Sequence, residues 1–217
     1  FWHENVHSMN KTEWKLFSNE HKEFDAYVYS DASNVAYSGL GTMGTSSGKL
    51  PLVAQGNWDS NERERSSTWR ELKAIQNVLC SLATKLKKRV VQWHTDNANV
   101  PKIVKRGSTK MELHKLALNI ANICRSGRIV INFVWISREL NTNADMVSKL
   151  VDKDDWAIAP HMFDYLNVLW GPFTTDRFAT SYNTKCTRFN SKFWYLGAEQ
   201  VDSLRLDWQG ENNWVVR

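Results

Sequence analysis

Phe24-Asp25-Ala26-Tyr27-Val28-Tyr29-Ser30 is a run of β-formers that closes on Asp31, and its reading decides the fold. Two more such runs follow, Ala36 to Thr42 and Leu52 to Trp58, with Gly44, Ser46, Ser47 and Gly48 supplying the turn between them. The spacing predicts a three-strand antiparallel meander. Ser66 or Ser67 then caps a helix running to about Lys87, in which Leu72, Ile75, Leu79, Leu82 and Leu86 recur at helical spacing. Glu71 flanks that apolar stripe, which places its carboxylate at the rim of the buried surface.

Val90 to Thr95 reads as a strand ending at Asp96, and Asn97 to Lys105 as a short helix ended by Gly107. Thr109 to Arg125 reads as a longer helix with Leu113, Leu116, Ala117, Ile120 and Cys124 inward, stopped by Gly127. Ile129 to Ile136 is a further strand. Ala144, Val147 and Leu150 form the apolar side of a last helix, with Asp145 beside Ala144. The order βββαβααβα predicts an α/β fold: a five-stranded mixed sheet, three strands antiparallel and the rest parallel, flanked by helices. Strands linked through helices become parallel neighbours, which brings the ends of the Asp31 and Asp96 strands together at the edge where open α/β sheets bind ligands.

Asp31, Glu71, Asp96 and Asp145 therefore each stand where a core element meets solvent. Like charges gathered at one edge repel, so such a cluster works against the fold by itself. Divalent cations between the carboxylates would explain it, because Mg²⁺ takes hard oxygen ligands in octahedral geometry. Two such ions about 3.5–4 Å apart serve both ends of an in-line displacement at a phosphodiester. The plainer alternative is four solvated acids at the ends of elements.

The bulk composition narrows the class. The chain has 217 residues, 42% apolar and 24% charged, enough for one domain with a core plus an accessory piece. No apolar run approaches the ~20 residues that span a bilayer. The start, Phe1 to Asn10, lacks a basic segment followed by an apolar one, and Cys80, Cys124 and Cys186 are scattered and odd in number. Together these predict an intracellular protein, in cytoplasm or nucleus, neither secreted nor held in a membrane. The chain opens without Met and reads as a piece of something longer, with 1–22 a lead-in. The net charge of +5 is modest, so clustering matters more than the total. Lys85, Lys87, Lys88 and Arg89 compensate a helix C-terminus, whereas Lys102, Lys105, Arg106 and Lys110 offer a phosphate-binding edge.

Four blocks now stand in order: Tyr29-Ser30-Asp31-Ala32-Ser33, Thr68-Trp69-Arg70-Glu71-Leu72-Lys73-Ala74-Ile75, Thr95-Asp96-Asn97-Ala98-Asn99-Val100, and Asn143-Ala144-Asp145-Met146-Val147-Ser148. Each is weak alone. In this order and on these elements they resemble the blocks of type 1 ribonuclease H, over about 23–150. The resemblance is closest to the ribonuclease H domains that follow reverse transcriptases in DIRS-type (tyrosine recombinase) retrotransposons. Asp155-Trp156, Trp170-Gly171-Pro172, Asp176-Arg177-Phe178-Ala179 and Asp207-Trp208-Gln209-Gly210-Glu211-Asn212-Asn213-Trp214 resemble the segment found after the domain there, so 151–217 reads as a C-terminal extension of unknown role.

The resemblance implies cleavage of the RNA strand of RNA–DNA hybrids with two Mg²⁺ or Mn²⁺ ions, in a polyprotein whose upstream polymerase region precedes residue 23. It implies that Asp31 bridges the ions, that Glu71 and Asp96 hold the one beside the leaving group, and that Asp145 holds the one that activates water. Ser33, Thr68, Trp69 and Asn97 adjoin the carboxylates and are candidate duplex contacts, as are Lys102 and Arg106; capping and packing are their alternative roles. Two departures stand out. Cellular members carry a His in the loop before the fourth carboxylate, and Ser137-Arg138-Glu139-Leu140-Asn141-Thr142 has none, so turnover is expected to be slower. The basic protrusion of cellular bacterial members is also missing, since Gly107 leads directly into the next helix.

Rival readings were weighed on the same residues. His3-Glu4-Asn5-Val6-His7 matches a zinc protease pattern but has no helical apolar stripe around it. Gly44 to Lys49 lacks the first Gly and the final Ser or Thr of a phosphate-binding loop and lies between strands. Most of the eleven Trp fall at core periodicity or in the extension, so they do not read as a base-stacking platform. An integrase or transposase on the same fold lacks a Glu on the first helix after the meander, which Glu71 supplies. A catalytically weak or inactive module that binds nucleic acid or braces the polymerase remains the alternative.

Overall fold

The computed structural model describes residues 23–45, 48–148 and 157–216. Its main sheet has the order β3-β2-β1-β4-β5. The strands are β1 (Ala26–Ala32), β2 (Ala36–Thr45), β3 (Gly48–Asn57), β4 (Val90–Thr95) and β5 (Val130–Trp135). β1, β2 and β3 pair antiparallel, while β1–β4 and β4–β5 pair parallel. This is the mixed five-stranded α/β sheet that the element order predicts. β1 lies at its centre because its alternate residues are sealed, with Ala26 and Val28 fully buried.

α1 (Ser60–Arg63) is a single turn that the sequence reading missed, closed by a reciprocal Asp59–Glu62 capping box. α2 (Ser67–Leu86) carries the core. Ser66 caps it by accepting from the Trp69 amide at 3.3 Å. Leu72, Ile75, Leu79, Leu82 and Leu86 are all buried, as the periodicity predicts. The helix lies close on the sheet because β2 offers Gly39 there: a Cβ at that position would come within 2.3 Å of Val78 Cγ1. α3 (Val100–Arg106) and α4 (Met111–Gly127) follow, and α5 (Thr142–Ser148) ends the first part of the chain.

Several boundaries differ from expectation. β2 and β3 run nearer the turn, whose Ser46 and Ser47 lie outside the described residues. α3 starts at Val100 rather than Asn97, because the Asn97 side chain accepts from the Asn99 amide and holds a turn instead. Gly127 belongs to α4, and Arg128 takes the left-handed position at φ 53°. The lead-in 1–22 with its His3 and His7, Leu150, the Val147 side chain and the acidic 152–155 also lie outside the described residues.

In the extension, α6 (Pro160–Trp170) forms, but its expected burial fails. Met162, Leu169 and Trp170, all expected inside, are 44%, 52% and 67% exposed. Only one edge of the helix is covered, where Phe163 meets Trp214 edge-on at 5.0 Å and Phe173 at 6.1 Å. Periodicity fixes an apolar stripe but not the element that covers it. Beyond it, the segment without periodicity makes a small parallel sheet, β8-β7-β6-β9, from β6 (Thr175–Asp176), β7 (Arg188–Ser191), β8 (Gln200–Val201) and β9 (Asn213–Trp214). Its centre is the buried Arg177, whose guanidinium donates to Asn190 Oδ1 at 2.8 Å and lies 5.5 Å from the Trp208 ring. Neutral amide oxygens satisfy this cation, and the ring adds a cation–π contact.

The extension docks on the first sheet's helix layer through Trp194. Tyr37 donates its hydroxyl to the Trp194 carbonyl at 3.0 Å, and the Trp194 amide donates to Ser81 Oγ at 2.8 Å. Lys73 Nζ stands 5.2 Å from the Trp194 ring. Leu79→Ala is expected to cost about 2–5 kcal/mol in urea unfolding, because it empties a sealed site between helix and sheet. Met162→Ala, on the open face of α6, is expected to cost under about 0.5 kcal/mol in the same measurement.

Candidate active site

Asp31 is the sixth residue of β1, one step from its C-terminal end, and Asp96 directly follows the parallel neighbour β4. Glu71 lies in the second turn of α2, where the helix passes the ends of those strands. One carboxylate oxygen from each of the three lies within 4.8 Å of the others. Asp31 and Glu71 are buried, and Asp96 is half-buried. The Ala32 amide hydrogen-bonds Glu71, yet Glu71 Oε2 is buried with no hydrogen-bond partner.

The crowding shows in the titration of the group. Burial pushes the Glu71 carboxyl well above the usual carboxylate range, and the charges of Asp31 and Asp96 push it further. Asp96 is also raised, first by burial and then by Asp145, while Arg138 and its own backbone pull it down. Three hard oxygen donors at this spacing, one of them orphaned in a buried position, fit a divalent cation. No other kind of partner for that oxygen is provided among the described residues.

Asp145 stands in the first turn of α5 and is not part of the close triad. Its Oδ1 accepts from Arg138 at 3.3 Å, and its charge reaches Asp96. The loop that carries it is braced at both ends. Trp135 donates its indole N–H to the Asp96 carbonyl at 2.9 Å, and the Ile136 amide donates to Thr95 at 3.0 Å. At the other end the buried Asn141 donates to the Ser30 carbonyl at 3.1 Å, and its own carbonyl accepts from the Asp145 amide. Ser38 Oγ ties the Ala144 carbonyl to β2 at 2.6 Å. Each tie lands one residue from an acid, so the loop is registered against the carboxylates.

The remaining candidates are placed as follows. Ser33 builds the β1–β2 turn, accepting from the Val35 and Ala36 amides at 3.2 and 3.0 Å. Asn97 holds the Asx turn described above. Trp69 lies partly buried with the Arg65 guanidinium 5.6 Å from its ring, and Thr68 is partly buried beside it. Lys102 and Arg106 are exposed on α3. Sequence reasoning passed over Arg138, Asn141 and the 54% exposed Trp135. The signal was the shortness of the loop between β5 and α5, which leaves few positions from which to steady Asp145.

No family model matches this chain, and no curated protein does. Solved structures are similar in part. Ribonuclease H1 from the halophilic archaeon Halobacterium salinarum NRC-1 is 15% identical at a TM-score of 0.46, over 57% of this chain and 93% of that one. A compost-derived ribonuclease H1, LC11, solved with an RNA/DNA hybrid, is 18% identical at a TM-score of 0.42, over 56% and 92%. The prototype foamy virus protease-reverse transcriptase is 13% identical at a TM-score of 0.45, over 62% of this chain and 22% of that one.

The crowded acids predict a pH-dependent penalty on the cation-free fold. Glu71 has its folded pKa raised above the ordinary 4.5, so its contribution is intact below that value and is lost as pH rises through the raised pKa. Glu71→Gln in EDTA is therefore expected to be more stable than wild type by about 1 kcal/mol at neutral pH, with the gap closing toward pH 4. Thermal unfolding across pH checks both the sign and the window.

Proposed function

We propose that this chain is a metal-dependent endonuclease that hydrolyses the RNA strand of RNA–DNA hybrids, the ribonuclease H part of a retroelement reverse transcriptase. The convergence of Asp31, Glu71 and Asp96 from three separate sequence blocks, with oxygens within 4.8 Å, carries the reading. The order of the four blocks supports it. Asp31, Glu71, Asp96 and Asp145 are the catalytic, metal-holding residues on this reading, for two Mg²⁺ or Mn²⁺ ions. Such cations supply charge neutralisation for an in-line displacement at phosphorus.

The chain's own residues do the rest. The buried Asp31 and Glu71 exclude water from one side of the site, and the Ala32 amide keeps Glu71 aimed at its neighbours. The braced loop 136–141 fixes where Asp145 can reach. Neither of the two clefts, of about 440 and 750 Å³, is lined by any of the four acids. Acids on an open sheet edge suit a polymeric substrate better than a small molecule. Lys102 and Arg106 supply cations to its backbone, and Ser33, Thr68, Trp69 and Asn97 line the approach.

The finer context is part of the same proposal. The nuclease unit is 23–150, preceded by a lead-in (1–22) from a polymerase region and followed by the extension 151–217. The block matches favour a DIRS-type polyprotein acting inside the cell; no helix among the described residues is long and apolar enough to cross a membrane. A second reading, a weak or inactive module that binds hybrid or braces the polymerase, is favoured by the loop 137–142 without a His.

On a labelled hybrid with Mg²⁺, cleavage by wild type is expected to stop with EDTA. Asp31→Asn and Asp96→Asn are expected to fall to background while keeping wild-type circular dichroism. Full activity of both variants would sink the assignment, and hybrid binding without any cation-stimulated cleavage would favour the second reading.

A further inference from the structure

Arg138 is the cation that the fold places over the acids. It opens a 3₁₀ turn (Arg138–Leu140) in the loop between β5 and α5. The backbone on either side is pinned, by Trp135 to the Asp96 carbonyl and by Asn141 to the Ser30 carbonyl. Its side chain is otherwise free to move, at 71% exposed, and its guanidinium donates to Asp145 Oδ1 at 3.3 Å. Its charge is also felt at Glu71, Asp96 and Asp31. An exposed ion pair of this length is weak, on the order of 1 kcal/mol or less, so a competing partner can take either member.

We infer that Arg138 is an exchangeable counter-ion of the site: it holds Asp145 in the cation-free protein, gives it up when a divalent cation enters, and then meets a backbone phosphate of the bound strand. The inference rests on the reading of the four acids as a cation site. Two physical facts drive the exchange. A divalent cation outbids a single guanidinium for a carboxylate that neighbouring acids make still more negative. The released guanidinium is anchored by its backbone at the rim of the acid cluster, where the phosphates of a substrate lie on the proposed function, and a planar fork of donors suits phosphate oxygens. The chain thus balances its acids with a residue of its own until substrate and cation arrive together.

The exchange predicts effects of opposite sign on cation and on nucleic acid, which no merely structural role produces. In calorimetric titration of the nucleic-acid-free protein with Mn²⁺, R138A is expected to bind about three- to tenfold more tightly than wild type, and R138K to stay within about twofold. D31N in the same titration loses affinity. In hybrid cleavage at saturating Mn²⁺, R138A is expected to raise KM severalfold and to flatten its salt dependence by about one charge. If R138A binds Mn²⁺ no more tightly than wild type, the exchange is overturned and the reading of the acids stands. An unchanged KM and salt slope overturns the phosphate half in the same way. A wild type that takes up no Mn²⁺ overturns both.

Discussion

Repulsion among carboxylates is the constraint on which the rest of this structure turns. Asp31 and Asp96 end neighbouring parallel strands, and Glu71 leans over them from the helix that fills the core. The sheet and α2 are joined by a sealed apolar layer that includes Val28, Leu72, Ile75, Leu79, Val91 and Trp93. That layer is stable enough to hold three acids together without any counter-charge of comparable proximity. The consequence appears at Glu71, whose carboxyl resists ionisation and whose second oxygen has no partner. A fold that carries such a penalty at one edge stores binding energy for a cation there.

The loop before α5 shows how the same edge is finished. It is short, and its backbone is tied to the residues beside Asp31 and Asp96. Its side chains are nonetheless exposed, Arg138 and Leu140 at 71% and 70%. A rigid backbone with free side chains is the arrangement expected where a residue must be aimed but must also change partners. The extension contributes nothing to the acids. It covers the far side of α2 through Trp194, so it acts on the site only through the helix that carries Glu71.

Much of this was legible before any coordinates. The alternation of apolar residues gave β1 and β4, helical spacing gave α2 and α4, and the element order gave the mixed sheet, because βαβ crossovers have few alternatives. The acids were legible because charges at the ends of apolar runs have no folding reason to be there. Other parts were not. Asn97 was read as opening a helix, and the competition between its side chain and the helical backbone was decided by local hydrogen bonding. The stripe of α6 was read as buried, yet only Phe163 has an aromatic partner. The extension has no period to read, because its strands are two to four residues long.

By itself the sequence determined the strands, the helices and which four carboxylates stand at their ends, since apolar period and the position of a charge within it are local properties. Only the tertiary structure decided that Asp31, Glu71 and Asp96 meet within 4.8 Å while Asp145 stands apart, held by Arg138. The reason is geometric. Three of the acids are fixed by the sheet and by the helix packed on it, so backbone pairing sets their separation. The fourth is placed by a loop, and a loop's position depends on side-chain ties such as Asn141 to Ser30 that join residues far apart in sequence.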